Sequence, residues 1–175
     1  VNYLNPDVNL QQQWQQRLGP KKRMRVGFAW SGRRDAWLNI HKGMPFADML
    51  AMIRANPTYE WINLQIDATD EEVAELEAAG VTMYPGSITS FADTAALLMQ
   101  LDVVVSVDTA IAHLAGALGR PTWIMLNWFA VDWRWLLNRD DSPWYSTARL
   151  FRQPAMGDWA SVTKKVSQYL SWFKV

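Results

Sequence analysis

Short apolar runs alternate with stretches of helical periodicity along this chain from Met24 onward. The apolar runs predict strands at residues 25–30, 61–66, 81–84, 103–107, 122–126 and 149–152. Apolar positions spaced by three or four, with capping residues before them and glycines after them, predict helices at residues 45–55, 70–79, 90–100, 109–118 and 158–173. Strands and helices that alternate at this spacing indicate an α/β fold, in which a Rossmann-like parallel sheet carries helices on both faces.

The predicted strand order points to two loops. In the common doubly wound order, the first and fourth strands are neighbours, and ligands bind in the crevice beyond the strand ends at that switch point. The loops that follow these two strands comprise residues 31–43 and 106–113. We therefore expect a ligand site between them.

A glutamine-rich segment precedes the alternating pattern. Pro6 and Asp7 can begin a helix that runs through Leu18, and Gly19-Pro20 can end it. Because this helix has few apolar anchors, we expect it to need a partner surface. The predicted domains are thus a linker helix at residues 1–22, which follows an absent N-terminal region, and a Rossmann-like domain at residues 23–175.

Composition narrows the classes of function. The 175 residues carry a formal net charge of zero, so a nucleic-acid partner is not expected. The absence of cysteine excludes disulfides, and a total of two histidines argues against a zinc centre. No apolar run reaches the roughly 18 residues that a membrane span needs, so no transmembrane segment is expected. The N-terminus lacks the pattern of a signal peptide.

The loop after the fourth predicted strand leads from Ser106 into an alanine-rich helix within a few residues. Free N–H groups and the positive end of the helix dipole suit such a turn to a phosphate. Thr109 can add its hydroxyl, Ala110 keeps the backbone accessible, and His113 can supply a second donor one turn later. Two alternatives stay open: Asp108 caps the helix, and His113 is a hydrogen-bonded histidine of the core.

The loop after the first predicted strand is rich in cations. Ser31-Gly32 predicts a tight turn with exposed N–H groups, and Arg33, Arg34 and Lys42 follow. Cations clustered at a switch point fit a diphosphate better than a neutral ligand. The loop has neither G-x-G-x-x-G nor a Walker lysine pattern, so the dinucleotide and P-loop hypotheses lose their main support. Alternatively, one or two of these cations are solvated loop charges.

Side chains beyond other strand ends are candidates for contacts with a nucleotide or sugar. Gln65 lies at the end of the second predicted strand, and Trp133 and Arg134 follow the fifth. Arg33 of the cation-rich loop is a further candidate for such a contact. An indole can stack on a base or sugar, and the polar groups can hydrogen-bond to it. Equally, Gln65 can be a plain polar strand end, and the tryptophans of the last loop, Trp133 and Trp135, can close it onto the core. No Asp-x-Asp pair lies near either loop, so neither a metal ion nor another cofactor is expected.

The ordered combination of these motifs resembles glycosyltransferase family 9, the lipopolysaccharide heptosyltransferases. The donor-binding motif of that family is similar to D-T-A-I-A-H-L-A-G-A-L-G-R-P at residues 108–121, and its opening strand is similar to V-G-F-A-W-S-G at residues 26–32. Further stretches of the chain resemble a subgroup of this family that is often joined to tetratricopeptide repeats. These stretches are D-W-R-W-L-L-N-R-D-D-S-P-W-Y, L-F-R-Q-P and G-D-W, together with Y-L-N-P-D and W-Q-Q-R-L-G near the start.

The resemblance implies the C-terminal, donor-binding half of a GT-B glycosyltransferase, whose catalytic base lies in an absent N-terminal domain. The residues that it places around the diphosphate are Ser31, Gly32, Lys42, Asp108, Thr109, Ala110 and His113. Ala110 stands where many relatives have glycine, which narrows the room near the phosphate. The implied partners are a nucleotide-sugar donor, the N-terminal domain and tetratricopeptide repeats of the same protein. The expected location is the cytoplasm or the periphery of the inner membrane, and the isolated domain is expected to be inactive.

Two other hypotheses remain. The chain can be half of a nucleotide-sugar epimerase of the same architecture, although Asp108 is then its one candidate carboxylate near the two loops. It can also be a non-catalytic nucleotide-binding or protein-interaction domain of a repeat-containing protein, which its abundance of tryptophan favours.

Overall fold

The computed structural model describes residues 3–32, 42–129 and 132–173. The elements in chain order are α1 (Val8–Leu18), β1 (Arg25–Ala29), α2 (Phe46–Ala55), β2 (Glu60–Asn63), α3 (Asp70–Ala78), α4 (Phe91–Leu98), β3 (Val103–Val107), α5 (Ala110–Ala117), β4 (Thr122–Leu126), a short 3-10 helix (Trp133–Trp135), β5 (Ala148–Arg152) and α6 (Trp159–Trp172). The predicted α/β alternation is confirmed, except at the third predicted strand.

The strands of the described residues form one parallel sheet in the order β2-β1-β3-β4-β5. β1 lies beside β3, with Val26 opposite Val103 and Ala29 opposite Ser106. These are the first and fourth strands of the sequence prediction, so the predicted switch point is confirmed. The loops that follow β1 and β3 therefore leave the sheet side by side.

The segment predicted as a third strand, residues 81–84, is reduced to one bridge between Ile62 and Thr82. Two backbone hydrogen bonds, of 3.1 and 2.8 Å, hold Thr82 to β2. The pairing cannot extend because β2 ends at Asn63, whose side chain bonds to the backbone of Gln65. The prediction of a full strand is therefore wrong, and so is the extension of the second strand to residue 66.

Helices cover both faces of the sheet. The residues of β1, β3 and β4 are all buried, as expected when both faces of a parallel sheet are packed. Val103, Val105 and Val107 belong to the core under α2, α3 and α6, whereas Val104 belongs to the core under α1, α4 and α5. This division follows the two-residue period of a strand.

A third part of the core lies over β4 and β5. There α5 and the segment between β4 and β5 cover Ile124, Leu126 and Leu150. That segment supplies Trp135 and Tyr145, which are 0% and 6% exposed. The alternative that a tryptophan closes this loop onto the core is therefore confirmed for Trp135.

The predicted N-terminal helix exists as α1 and packs against the domain. The Asp7 carboxylate caps it by accepting from Leu10 N–H at 2.9 Å, and Gly19 ends it with a φ of 68°. Trp14 is 2% exposed, and its ring meets Tyr84 edge-on at 5.1 Å. The partner surface of this helix is thus α4 and its surroundings, while the domain boundary after residue 22 stays a prediction.

None of the described helices combines the length and the apolar character that crossing a membrane requires.

Candidate functional site

A cavity of about 780 Å³ opens at the carboxyl end of the sheet, between the loops that follow β1 and β3. Ligand pockets in proteins typically have this size. Its walls come from the β1 loop, the segment after β2 and the first turns of α4 and α5. The lining residues are Ser31, Gly32, Leu64, Gln65, Ile66, Asp67, Phe91, Thr94, Thr109, Ala110 and Ile111. The cavity therefore lies where the predicted strand order places a ligand site, and five of the predicted site residues line it.

The N-terminus of α5 forms one end of the cavity. Thr109 is its N-cap and accepts from Ala112 N–H at 3.4 Å, and a bond of 2.9 Å joins the hydroxyls of Ser106 and Thr109. The alternative that Asp108 caps this helix is therefore wrong. The N–H groups of Ala110 and Ile111 belong to the first turn, which has no intrahelical acceptors, so they are available to an anion in the cavity.

Asp108 joins the two loops. Its side chain is 6% exposed, and its carboxylate lies 2.7 Å from Lys42 Nζ and 3.3 Å from His113 Nε2. Burial raises the pKa of this carboxyl, but the hydrogen bonds from His113 and Lys42 and the charge of Lys42 outweigh burial and lower the pKa below its ordinary value. Asp108 is therefore ionised at neutral pH and holds Lys42, which the family resemblance placed beside the diphosphate.

His113 has partners on both ring nitrogens. Its Nε2 faces Asp108, and its Nδ1 lies 3.1 Å from the Tyr145 hydroxyl. The ring also stacks on Trp135, with centroids 4.9 Å apart and an interplanar angle of 19°. Direct donation to a diphosphate would require breaking one of these contacts. The side chain is 29% exposed, so it lies at the edge of the core.

Gln65 ties the end of β2 to the β1 loop. Its Oε1 accepts from Ser31 N–H at 3.1 Å and from Trp30 N–H at 3.3 Å, and its Nε2 donates to Asp67. The Ser31 hydroxyl donates to the carbonyl of Gly32 at 2.9 Å. The expectation that the N–H of Ser31 is exposed is therefore wrong, because Gln65 occupies it. Gln65 is 7% exposed and acts first as a loop anchor.

The other predicted contacts lie apart from the cavity or outside the described residues. Arg134 pairs with Asp132 at 3.1 Å and lies over the Trp133 ring, 4.5 Å from its centroid. Trp133 is 58% exposed and meets Trp144 edge-on. Among the residues that the structure describes, the cavity lining includes none of these. Arg33 and Arg34 fall within residues 33–41, which lie outside the described ranges.

Several residues of this region have no signal in the sequence. Tyr145 reaches His113 from 32 positions away. Phe91, Ile66 and Ile111 give the cavity an apolar wall, although helical and strand periodicity assign apolar residues to the core. Asp67 lies in an acidic stretch typical of a solvated helix face. Only the proximity of distant segments identifies these residues.

No group of three or more histidine and acidic side chains that could hold a metal ion is found within residues 3–32, 42–129 and 132–173.

The chain is similar to known glycosyltransferases. The sequence model of glycosyltransferase family 9 (heptosyltransferase) matches residues 63–124, from the end of β2 into β4, and this stretch includes the N-terminus of α5. Protein FlbA of Caulobacter vibrioides is 29% identical over 181 aligned residues, which cover 98% of this chain and 29% of that protein. The family match, which spans less than half of the chain, supports a glycosyltransferase of family 9, and the subgroup joined to tetratricopeptide repeats stays a prediction.

Solved structures share the fold. The E. coli ADP-heptose lipopolysaccharide heptosyltransferase II has a TM-score of 0.67 at 16% identity and matches 97% of this chain. The family 9 glycosyl transferase from Veillonella parvula has a TM-score of 0.63 at 10% identity over 98% of this chain. E. coli heptosyltransferase WaaC with ADP-2-deoxy-2-fluoro heptose has a TM-score of 0.60 at 18% identity over 97%. The chain spans 52%, 46% and 50% of these proteins, respectively.

Proposed function

We propose that this chain is the donor-binding half of a glycosyltransferase that transfers a sugar from a nucleoside-diphosphate sugar to an acceptor. The observation that carries the proposal is the cavity bounded by both switch-point loops, with the N-terminus of α5 at one end. A helix N-terminus stabilises negative charge through its dipole and its unpaired N–H groups. The diphosphate therefore lies against Ala110 and Ile111, beside Lys42.

The rest of the cavity suits a nucleoside. Leu64, Ile66 and Phe91 provide apolar surface, and Ile66 and Phe91 are 79% and 67% exposed. Exposed apolar side chains beside a cavity are typical of a surface that a flat ring covers. Asp67 supplies hydrogen-bond acceptors at the same wall. Two similar structures are those of E. coli heptosyltransferase WaaC with ADP and with ADP-2-deoxy-2-fluoro heptose, so ADP is the first nucleotide to test.

Fixed charges support departure of the nucleoside diphosphate. When the sugar leaves, negative charge develops on the diphosphate, and preorganised dipoles and cations stabilise it without a metal ion. In this chain, the α5 N-terminus and the ammonium of Lys42 supply that stabilisation. The base that activates the acceptor belongs to the remaining part of the enzyme, which this chain lacks.

Ligand binding and transfer test the proposal separately. Thermal shift with ADP, UDP and GDP sugars and with a CMP sugar measures which nucleotide the chain recognises. Calorimetry then gives affinities for the matching diphosphate and nucleoside. We expect weak diphosphate binding and no sugar transfer by this chain alone, because half of the cleft is absent. Failure of every nucleotide to bind, or robust turnover by the chain itself, would contradict the proposal.

The proposed partners follow from the same architecture. They are the nucleotide sugar, the acceptor-binding half of the glycosyltransferase and tetratricopeptide repeats in the same protein, at the cytoplasm or the inner-membrane periphery. Transfer of sugar by a protein that contains both halves tests the first two partners directly.

A non-catalytic interaction domain is the second candidate. Four aromatic side chains of the segment between β4 and β5 are more than 40% exposed: Trp128, Phe129, Trp133 and Trp144. Exposed aromatic side chains are enriched at protein interfaces. Sugar transfer by the protein that contains this chain would reject this candidate, whereas its absence together with stable partner binding would favour it.

A further inference from the structure

The imidazole of His113 is held by three side chains that lie outside the cavity lining. Asp108 contacts Nε2 at 3.3 Å, Tyr145 contacts Nδ1 at 3.1 Å, and Trp135 stacks on the ring. Trp135 and Tyr145 both come from the segment between β4 and β5, whereas Asp108 precedes α5. The orientation of His113 therefore depends on how this segment packs against α5.

The hydrogen-bonding capacity of each group determines where the protons lie. An ionised carboxylate only accepts, so the Nε2 that faces Asp108 carries a proton. In a neutral imidazole Nδ1 is then an acceptor, and the phenol of Tyr145 is the donor. Burial is the main cause that raises the pKa of Tyr145 to about 12, so the phenol keeps its proton. Each polar atom in the contact thus has a complementary role.

The backbone of α5 fixes the place of Tyr145. A Cβ added to Gly116 would lie 2.5 Å from Cγ of the Tyr145 ring and 2.8 Å from Cδ1. These distances are shorter than carbon atoms tolerate, so the ring packs directly on the helix at this glycine. The same helix carries His113 one turn earlier. Gly116 therefore sets the distance between the phenol and the imidazole.

We propose that Tyr145 is a positioning residue for the site, acting through His113. Its hydroxyl fixes one tautomer and one ring direction of His113, so that the imidazole occupies one oxygen of Asp108 and leaves the other to Lys42. The ammonium of Lys42 is thereby held beside the N-terminus of α5. The effect on nucleotide binding rests on the proposed function, whereas the effect on His113 is independent of it.

A double-mutant cycle tests whether Tyr145 acts through His113. Tyr145→Phe removes one oxygen atom. We expect this variant to weaken ADP binding about two- to tenfold, because that is the range of one hydrogen bond, and to change adenosine binding little. His113→Ala weakens ADP binding as well, and the double variant is no weaker than His113→Ala. Unchanged ADP affinity in Tyr145→Phe, or additive losses, overturn the proposal.

Tyr169→Phe is the matched control, because it also removes a phenol oxygen, but from a residue of α6 that packs against Trp123 and Phe151. We expect this variant to bind ADP as the unchanged chain does. An equal loss of ADP affinity in both variants would assign the effect to general packing and overturn the proposal.

Nitrogen NMR of the ligand-free chain gives a second, independent result. The His113 imidazole is identified by the resonances that His113→Ala removes. When the imidazole is neutral, we expect a protonated Nε2 and a hydrogen-bonded Nδ1. In Tyr145→Phe the Nδ1 resonance moves to the position of an unbonded nitrogen. No movement overturns the proposal. Movement without any ADP binding supports the positioning role and contradicts the proposed function alone.

Discussion

Lys42 and Asp108, 66 residues apart, form an ion pair of 2.7 Å that joins the two loops of the switch point. The carboxylate is 6% exposed and the lysine 23% exposed, so solvent screens the pair only in part. The pair holds the Lys42 ammonium against Asp108, the residue before the N-cap of α5, and Asp108 also contacts His113. The charge at this site therefore depends on a linked set of side chains.

Lys42→Ala is expected to weaken ADP binding about five- to twentyfold and adenosine binding much less. The variant removes a cation and leaves the negative Asp108 near the phosphates. Calorimetry with ADP and adenosine measures both effects. Lys21→Ala is the control, since Lys21 forms a similar pair of 2.9 Å with the buried Asp102, whose partners lie on the amino side of the sheet. Equal losses in the two lysine variants, or equal losses for the two ligands, would refute a phosphate role for Lys42.

Asp108→Asn is expected to change how stability depends on pH. The pKa of Asp108 is lowered from 3.8 in the folded chain, so its ionised form stabilises the fold. That contribution is fully present above the unfolded pKa and is lost as the pH falls through the lower folded pKa. Urea unfolding between about pH 7 and pH 3 should therefore show the difference between the unchanged chain and Asp108→Asn narrowing at the acid end. A difference that stays constant over this range would show that Asp108 does not titrate in this way.

Gln65→Ala is expected to lower both stability and ADP affinity. The variant leaves the Ser31 N–H without the acceptor that orients the β1 loop, at a cost of about 1–3 kcal/mol in the free energy of unfolding. Gln153→Ala is the matched control. Gln153 follows β5, and its Oε1 likewise accepts a backbone N–H, that of Trp128 at 3.0 Å, beyond the end of β4. In urea unfolding, the two variants should lose similar free energy of unfolding, whereas only Gln65→Ala should weaken ADP binding. Equal ADP affinity in both variants would show that the bond from Gln65 to the β1 loop does not affect ligand binding.

ADP binding is expected to persist in EDTA. The α5 N-terminus and Lys42 provide positive charge of the kind that a divalent ion supplies elsewhere. Calorimetry with ADP and with adenosine, each in the presence and absence of the chelator, measures the dependence. Loss of ADP binding in EDTA that added magnesium or manganese restores would make Asp108 a candidate ligand and would contradict the metal-free proposal.

Much of the fold follows from patterns within single segments. The caps of α1 and α4, Asp7 and Ser90, lie where the sequence places helix starts, and their side chains make the expected bonds. The buried β3 is a continuous apolar run, which needs both faces of a sheet covered. The third predicted strand failed because its pairing depends on the length of β2, and side-chain bonds of Asn63 end β2 early.

Prediction of the site was less complete. The two loops were identified correctly because strand order follows from the alternation of elements. The role of Asp108 as a cap was wrong because Thr109, one residue later, has the extended backbone of an N-cap, with φ −136° and ψ 168°. Choosing between two adjacent capping residues depends on backbone angles that residue type leaves open.

By itself, the sequence determined the elements, the parallel sheet and the pair of loops that bound the cavity. Burial patterns, helix periodicity and capping are properties of neighbouring residues, so a linear pattern contains them. Only the tertiary structure decided which polar groups meet: Lys42 with Asp108, Ser31 with Gln65, and His113 with Tyr145. A hydrogen bond requires its two atoms to approach within about 3 Å, and for residues far apart in the chain that distance depends on how the sheet and helices pack.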